Sequence, residues 1–206
     1  MQEKLPSVRL AIFASGQGTN AREIIRYFRK GGHPVQGRPV EIVLVVCNKP
    51  GAGVLQVAAD AGIPVCLIEK EQFFRGSHYL EEFSSRYISF LVLAGFLWKI
   101  PVALIHAFPG RILNIHPALL PNYGGKGMYG QAVHEAVIAA KEQQSGITIH
   151  YVDEQYDHGR MFFQASFKLA KDETPESLSM KIHELEHRYY PEQIARWLEC
   201  KLSLKP

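Results

Sequence analysis

The sequence predicts an α/β fold: a Rossmann-like open sheet, twisted and mostly parallel, with helices on both faces and an antiparallel C-terminal addition. Three observations predict it. Apolar runs of strand length alternate with segments of helical period through the first 115 residues, the rhythm of βαβ units. Runs such as 41–47 are apolar at almost every position, as a strand buried by helices on both sides must be. The rhythm then breaks after Gly146, where two strand-like runs follow one another without a helix between them.

In chain order, strands are expected at 8–14, 41–47, 63–68, 88–93 and 111–115, with helices at 21–30, 53–61, 78–87 and 102–107 between them. Strands at 147–152 and 161–169 flank a polar, loop-like joint at 153–159. Thr174 and Pro175 form an N-cap followed by a proline in the first turn, opening a helix that runs to about residue 198. Pro191 lies inside that span and is expected to kink or divide it.

A chain of 206 residues with 47% hydrophobic content supports one core, so a single domain over 1–206 is expected. Two halves, about 1–107 and about 108–206, are expected within it. The formal net charge of +3 and the lack of a basic stripe argue against nucleic acid as a partner. The apolar stretch after Met1–Leu5 is too short for a signal or membrane segment, which predicts an untargeted cytoplasmic protein with no membrane partner. Cys47, Cys66 and Cys200 are odd in number and widely spaced, which fits a reducing compartment and offers no Cys-x-x-Cys metal pair. Without a coiled-coil heptad or an evident apolar patch, a monomer or weak homodimer is expected.

The run Ser-Gly-Gln-Gly-Thr-Asn at 15–20 stands where the first strand turns into a helix, at the strand end where open α/β sheets bind ligands. Its glycines let backbone N–H groups approach an anion, and the helix N-terminus adds a favourable dipole. It matches neither the dinucleotide nor the triphosphate glycine pattern, so a single phosphate is the favoured guest. The same residues also make an ordinary capped tight turn.

Asn114 and His116 fall on one side of a strand, because side chains alternate with period two, and Pro117 ends that strand. A carboxamide can stabilise a tetrahedral oxyanion and an imidazole can move a proton near neutral pH, so the pair suits acyl transfer. Two polar residues finishing a strand would look the same.

Four stretches then carry a resemblance over nearly the whole chain: the 15–20 loop, Val-Leu-Ala-Gly-Phe at 92–96, Leu-Asn-Ile-His-Pro-Ala-Leu-Leu-Pro at 113–121, and Gly-Ile-Thr-Ile-His-Tyr-Val at 146–152 leading to Tyr-Asp-His-Gly at 156–159. In order and spacing they resemble the phosphoribosylglycinamide formyltransferases, and the formyltransferase fold is implied with them. The third stretch is shared with other enzymes that transfer formyl from 10-formyltetrahydrofolate.

The resemblance implies that Gly18, Thr19 and Asn20 hold the phosphate of glycinamide ribonucleotide and that Glu186 of the last helix binds the ribonucleotide. It also implies Asn114 as oxyanion donor, His116 as proton donor or shuttle, and Asp157 favouring the charged form of His116 and orienting a water. Leu97, Trp98, Lys99, Ile100, Asn114, Val152 and Asp153 would line the folate site, with Arg75 as a loosely aligned contact for the folate tail. His150 matches a family histidine and reads as a supporting residue. The reduced folate is then a co-substrate, the partners are small molecules, and no metal is called for.

The chain departs from the family in places. Trp98 stands where many relatives have arginine, and a loop that often carries histidines is here Asn-Tyr-Gly-Gly-Lys-Gly-Met-Tyr-Gly at 122–130, leaving Lys126 or Tyr129 to supply what those histidines do.

Other readings compete. His-Glu-Leu-Glu-His at 183–187 matches the H-E-x-x-H pattern of zinc hydrolases, but only Glu192 and Glu199 follow as a third ligand. Formyl transfer to methionyl-tRNA or a sugar nucleotide would call for further domains, and tRNA for more basic charge. A non-catalytic binding module on the same fold is a third class, since fold alone never fixes activity.

Overall fold

The computed structural model describes residues 5–29, 33–75 and 79–203. The expected helix boundaries at Lys30 and His78 lie outside the described residues. Seven strands form one sheet: β1 (Val8–Ala14), β2 (Val40–Cys47), β3 (Val65–Leu67), β4 (Phe90–Leu93), β5 (Ile112–His116), β6 (Gln144–Tyr151) and β7 (Met161–Lys168), in the order β3-β2-β1-β4-β5-β6-β7. The first five pair in parallel; β6 and β7 are antiparallel additions at one edge. This is the expected fold class.

Alternation along β1 builds two cores. Leu10 and Ile12 point to one face, with Ile24 of α1 (Thr19–Arg29), Val57 of α2 (Gly53–Asp60), Val137 of α6 (Gln131–Ala139) and Trp197 of α7 (Pro175–Ser203). Ala11 and Phe13 point to the other, with Phe73 of α3 (Lys70–Phe74), Phe83 of α4 (Leu80–Ser85) and Leu104 of α5 (Val102–Ala107). Both faces of the central strands are therefore sealed, which is why β4 is buried at every position.

Several boundaries differ from expectation. β3 is shorter because it is an edge strand with Val65 and Leu67 half exposed, while Ile63 and Ile68 bury their side chains from the flanking turns. α3 and α6 have no counterpart in the sequence reading; α3 is only five residues long, and α6 shows a weak apolar period. Pro191 does not divide α7, which is helical without a break from Pro175 to Ser203. An internal proline costs about 3 kcal/mol. Burial of Tyr190, Ile194, Trp197 and Leu198 around it, at about 1.5–3 kcal/mol for each large apolar side chain, outweighs that cost.

One bond fixes α7 over the sheet. The fully buried Tyr190 hydroxyl donates to the Leu93 carbonyl at 2.8 Å and lies 3.2 Å from that of Leu113, so it spans the ends of β4 and β5. Replacing Tyr190 by Phe strands those contacts in the core. Urea denaturation is expected to show a loss of about 1–3 kcal/mol, the usual cost of a buried polar group left unpaired.

Candidate active site

The strand order reverses between β1 and β4, the kind of switch point outside which open α/β sheets bind ligands. Ser15 holds the loops after these two strands together: its N–H donates to the Gly95 carbonyl at 3.0 Å, and its hydroxyl accepts from the Leu97 N–H at 2.9 Å. Gly18 follows with φ +76°, and a Cβ there would meet the Val54 Cα at 2.7 Å. Only glycine lets the loop pass so close to α2 and still deliver Thr19 and Asn20 into the first turn of α1.

Asn20 is buried and donates from Nδ2 to Glu186 Oε2 at 2.9 Å, joining α1 to α7 across 166 residues. Glu186 is 5% exposed, and His183 Nδ1 sits 3.0 Å from the same oxygen. The phosphate-loop candidates and the helix-borne glutamate therefore form one buried polar seam. The hydrogen bond to Glu186 raises the His183 pKa above its ordinary value, against the opposing effect of burial.

The second cluster lies where β5 meets β6. The Asn114 amide lies 3.0 Å from His150 Nε2, and the His150 Nδ1–H donates to the Tyr151 carbonyl at 2.8 Å. The NH₂ of Asn114 faces Nε2 and keeps a second amide hydrogen for another acceptor. Asp157 stands 3.6 Å from both His150 Nε2 and His116 Nδ1. It adopts φ +51°, a conformation Asp tolerates better than most residues, and its carboxylate accepts the Gly125 N–H at 2.9 Å. A Cβ at the neighbouring Gly159 would overlap the Tyr151 carbonyl, so that turn too requires glycine.

Electrostatics separates the roles. Burial pulls the His116 pKa down, more strongly than Asp157 and the Tyr123 carbonyl raise it. Asp157 does favour the charged form, as expected, but the ring is 3% exposed and desolvation outweighs that pull. Its Nε2–H donates to the Tyr123 carbonyl at 2.8 Å, so the lone pair of the neutral ring is on Nδ1, facing Asp157. For Asp157, burial raises the pKa, but the nearby His150 and His116 and the Gly125 N–H together bring it below the usual carboxylate range.

Asn114, His116 and Asp157 are thus brought together, and Glu186 is close enough to act electrostatically on His116. Of the expected folate residues, Leu97 is exposed, Trp98 and Lys99 are half-buried, and Ile100 is buried. The Val152 N–H is tied to the Ile112 carbonyl at 3.2 Å, and Asp153 Oδ2 lies 3.0 Å from His158 Nδ1. Trp98 packs its ring against Phe73 and Phe74. Arg75 pairs with Glu71 on an exposed groove with Lys70 and Phe74. Lys126 and Tyr129 are exposed. The His183 and His187 rings stack with centroids 6.1 Å apart, and His183 is bonded to Glu186. No group of three His, Cys, Asp or Glu suited to a metal occurs among the described residues.

Residues 8–194 match the formyl transferase family model. This chain belongs to the formyl transferase family. It is 41% identical over 95% of its length to an Arabidopsis thaliana protein named phosphoribosylglycinamide formyltransferase, chloroplastic, of which it spans 67%. It is 32% identical over 92% of its length to the phosphoribosylglycinamide formyltransferase of Bacillus subtilis, of which it spans 94%. The crystal structure of phosphoribosylglycinamide formyltransferase from Bacillus halodurans superposes with a TM-score of 0.81 at 37% identity, covering 92% of this chain and 95% of that one.

Two features of this formyl transferase were not legible in sequence: the Asn20–Glu186 bond, and the pinning of His116 by a backbone carbonyl. Neither has a motif, since one joins distant elements and the other uses main chain. Because the folded-state pKa of His183 is raised, its bond to Glu186 adds stability that is fully present below about pH 6.5 and fades as pH rises through the folded value. The melting temperature of His183→Gln is expected to fall about 1–3 °C below wild type at pH 5.5, with the gap closed by pH 8.5.

Proposed function

We propose that this chain transfers the formyl group of 10-formyltetrahydrofolate to the amine of glycinamide ribonucleotide, giving formylglycinamide ribonucleotide in purine biosynthesis. The observation that carries this is that Asn114 and His116 of β5 meet Asp157 of the turn after β6, directly or through His150, in contacts of 3.0 to 3.6 Å, beside β4, whose neighbour β1 leads into the Gly18–Thr19–Asn20 loop. The names of the relatives support the same reaction and acceptor.

The phosphate lies against the Gly18, Thr19 and Asn20 N–H groups at the start of α1. Glu186, a buried carboxylate with acceptor capacity only, suits the ribose hydroxyls rather than the phosphate. The folate enters along residues 97–100 and 152–153, with Trp98 as a ring surface and Arg75 toward the tail. The amine nitrogen attacks the formyl carbon, and the free Asn114 N–H meets the oxygen as it becomes negative. The nitrogen sheds a proton to His116 Nδ1, whose neutral ring is ready to accept it, and Asp157 stabilises the imidazolium. The carbon–N10 bond then breaks, the carbonyl re-forms, and N10 takes a proton from this pair.

The chain acts as a single cytoplasmic domain, monomeric or weakly dimeric, whose first 107 residues grip phosphate and whose remainder binds folate and performs the transfer. No metal or nucleic acid enters this mechanism.

Purified protein assayed with 10-formyltetrahydrofolate is expected to turn over glycinamide ribonucleotide and not methionyl-tRNA; the reverse result would replace the acceptor. Asn114→Ala and His116→Ala are each expected to lower kcat about a hundredfold or more while circular dichroism stays native. Unchanged turnover would remove their assigned roles. Thr19→Glu puts a carboxylate into the anion loop and is expected to raise KM for the ribonucleotide about tenfold or more by charge repulsion, with the folate KM little changed.

A further inference from the structure

α6 carries a buried histidine that the proposed mechanism does not use. His134 is 3% exposed, and its Nδ1 is sealed from solvent with no hydrogen-bond partner among the described residues. Val133 and Val137 of the same helix are buried with it. Native proteins seldom leave a buried ring nitrogen unpaired without a reason such as a catalytic role or a bound water. The groups acting on it electrostatically are Glu186 and His183 of α7 and His116 of β5, which are the groups of the candidate site. A second orphan lies on the Asn20–Glu186 seam: Asn20, while bonded to Glu186 through Nδ2, has a sealed Oδ1 without a partner among the described residues.

We propose that His134 is a positioning residue for the ribonucleotide, holding Glu186 through a hydrogen-bond network that the bound hydroxyls or a trapped water complete at its Nδ1 and at Asn20 Oδ1. This rests on the reading that Glu186 binds the ribonucleotide. A sealed carboxylate needs donors that set its direction, and His183 and Asn20 both serve the same oxygen, Oε2. His134 supplies a further polar group on the α6 side. Burial lowers its pKa, so the ring is neutral and can donate from one nitrogen and accept at the other. It stands one helical turn past the loop in which relatives often carry histidines, whereas Lys126 and Tyr129 point outward.

The test is steady-state kinetics of the full chain with each substrate varied in turn. His134→Leu keeps an apolar filling and removes the polar group. It is expected to raise KM for glycinamide ribonucleotide about tenfold, with kcat and the folate KM within about twofold of wild type. His134→Asn, whose amide reaches the place of Nδ1, is expected to recover most of the loss, and His134→Gln less. A ribonucleotide KM unchanged in His134→Leu overturns the proposal, as does a parallel change in kcat and both KM values, the mark of a merely structural residue. If the leucine variant does not fold, the amide pair decides: a near-native KM for Asn and a raised one for Gln support the proposal, and equal values overturn it. Wild-type turnover in the same assay checks the underlying function separately. Its absence removes both readings, whereas turnover with an unaltered leucine variant removes only this one.

Discussion

The reversal of strand order between β1 and β4 is the constraint from which the rest of the molecule follows. Parallel strands all end on one edge, and at the reversal the connecting loops run apart, leaving backbone N–H groups uncovered by a crossing chain. Ser15 keeps that gap at a defined width by bonding to the loop after β4 through both its main chain and its hydroxyl. β5, next to β4, then delivers Asn114 and His116 beside the same opening. The antiparallel β6 and the turn beyond it add His150 and Asp157 from the far side.

Desolvation governs the chemistry of that cluster. In water an imidazole beside a carboxylate would hold a proton, but His116 is buried deeply enough that neutrality prevails. The carboxylate of Asp157 stays ionised because it keeps hydrogen-bond donors of its own. The neutral base beside a fixed anion is therefore a product of unequal solvation of two neighbours, and the orientation of Asn114 is set in turn by which His150 nitrogen is engaged with the backbone.

α7 serves both the core and the site. Trp197 and Tyr190 anchor it over the sheet, and Phe90 meets the Trp197 ring edge-on at 5.2 Å. With the helix held in that rotation, Glu186 is turned inward to Asn20, while Glu184, the glutamate of the His-Glu-x-x-His pattern, is exposed. A motif matched on a helix is only as meaningful as the face on which its residues fall.

The sequence by itself determined the α/β class, the bounds of β1, the glycine turn and the shared side of Asn114 and His116, because each depends on neighbours a few residues away: period-two alternation, apolar runs and the φ freedom of glycine. It did not reveal α6, whose apolar period is weak, nor the continuity of α7 through Pro191, because tertiary burial overrides local propensity there. Only the tertiary structure decided that Asn20 meets Glu186, that His134 is sealed from solvent and that the His116 pKa is pulled down. Those outcomes depend on which distant groups exclude water from one another, and burial is a property of the packed whole rather than of any segment.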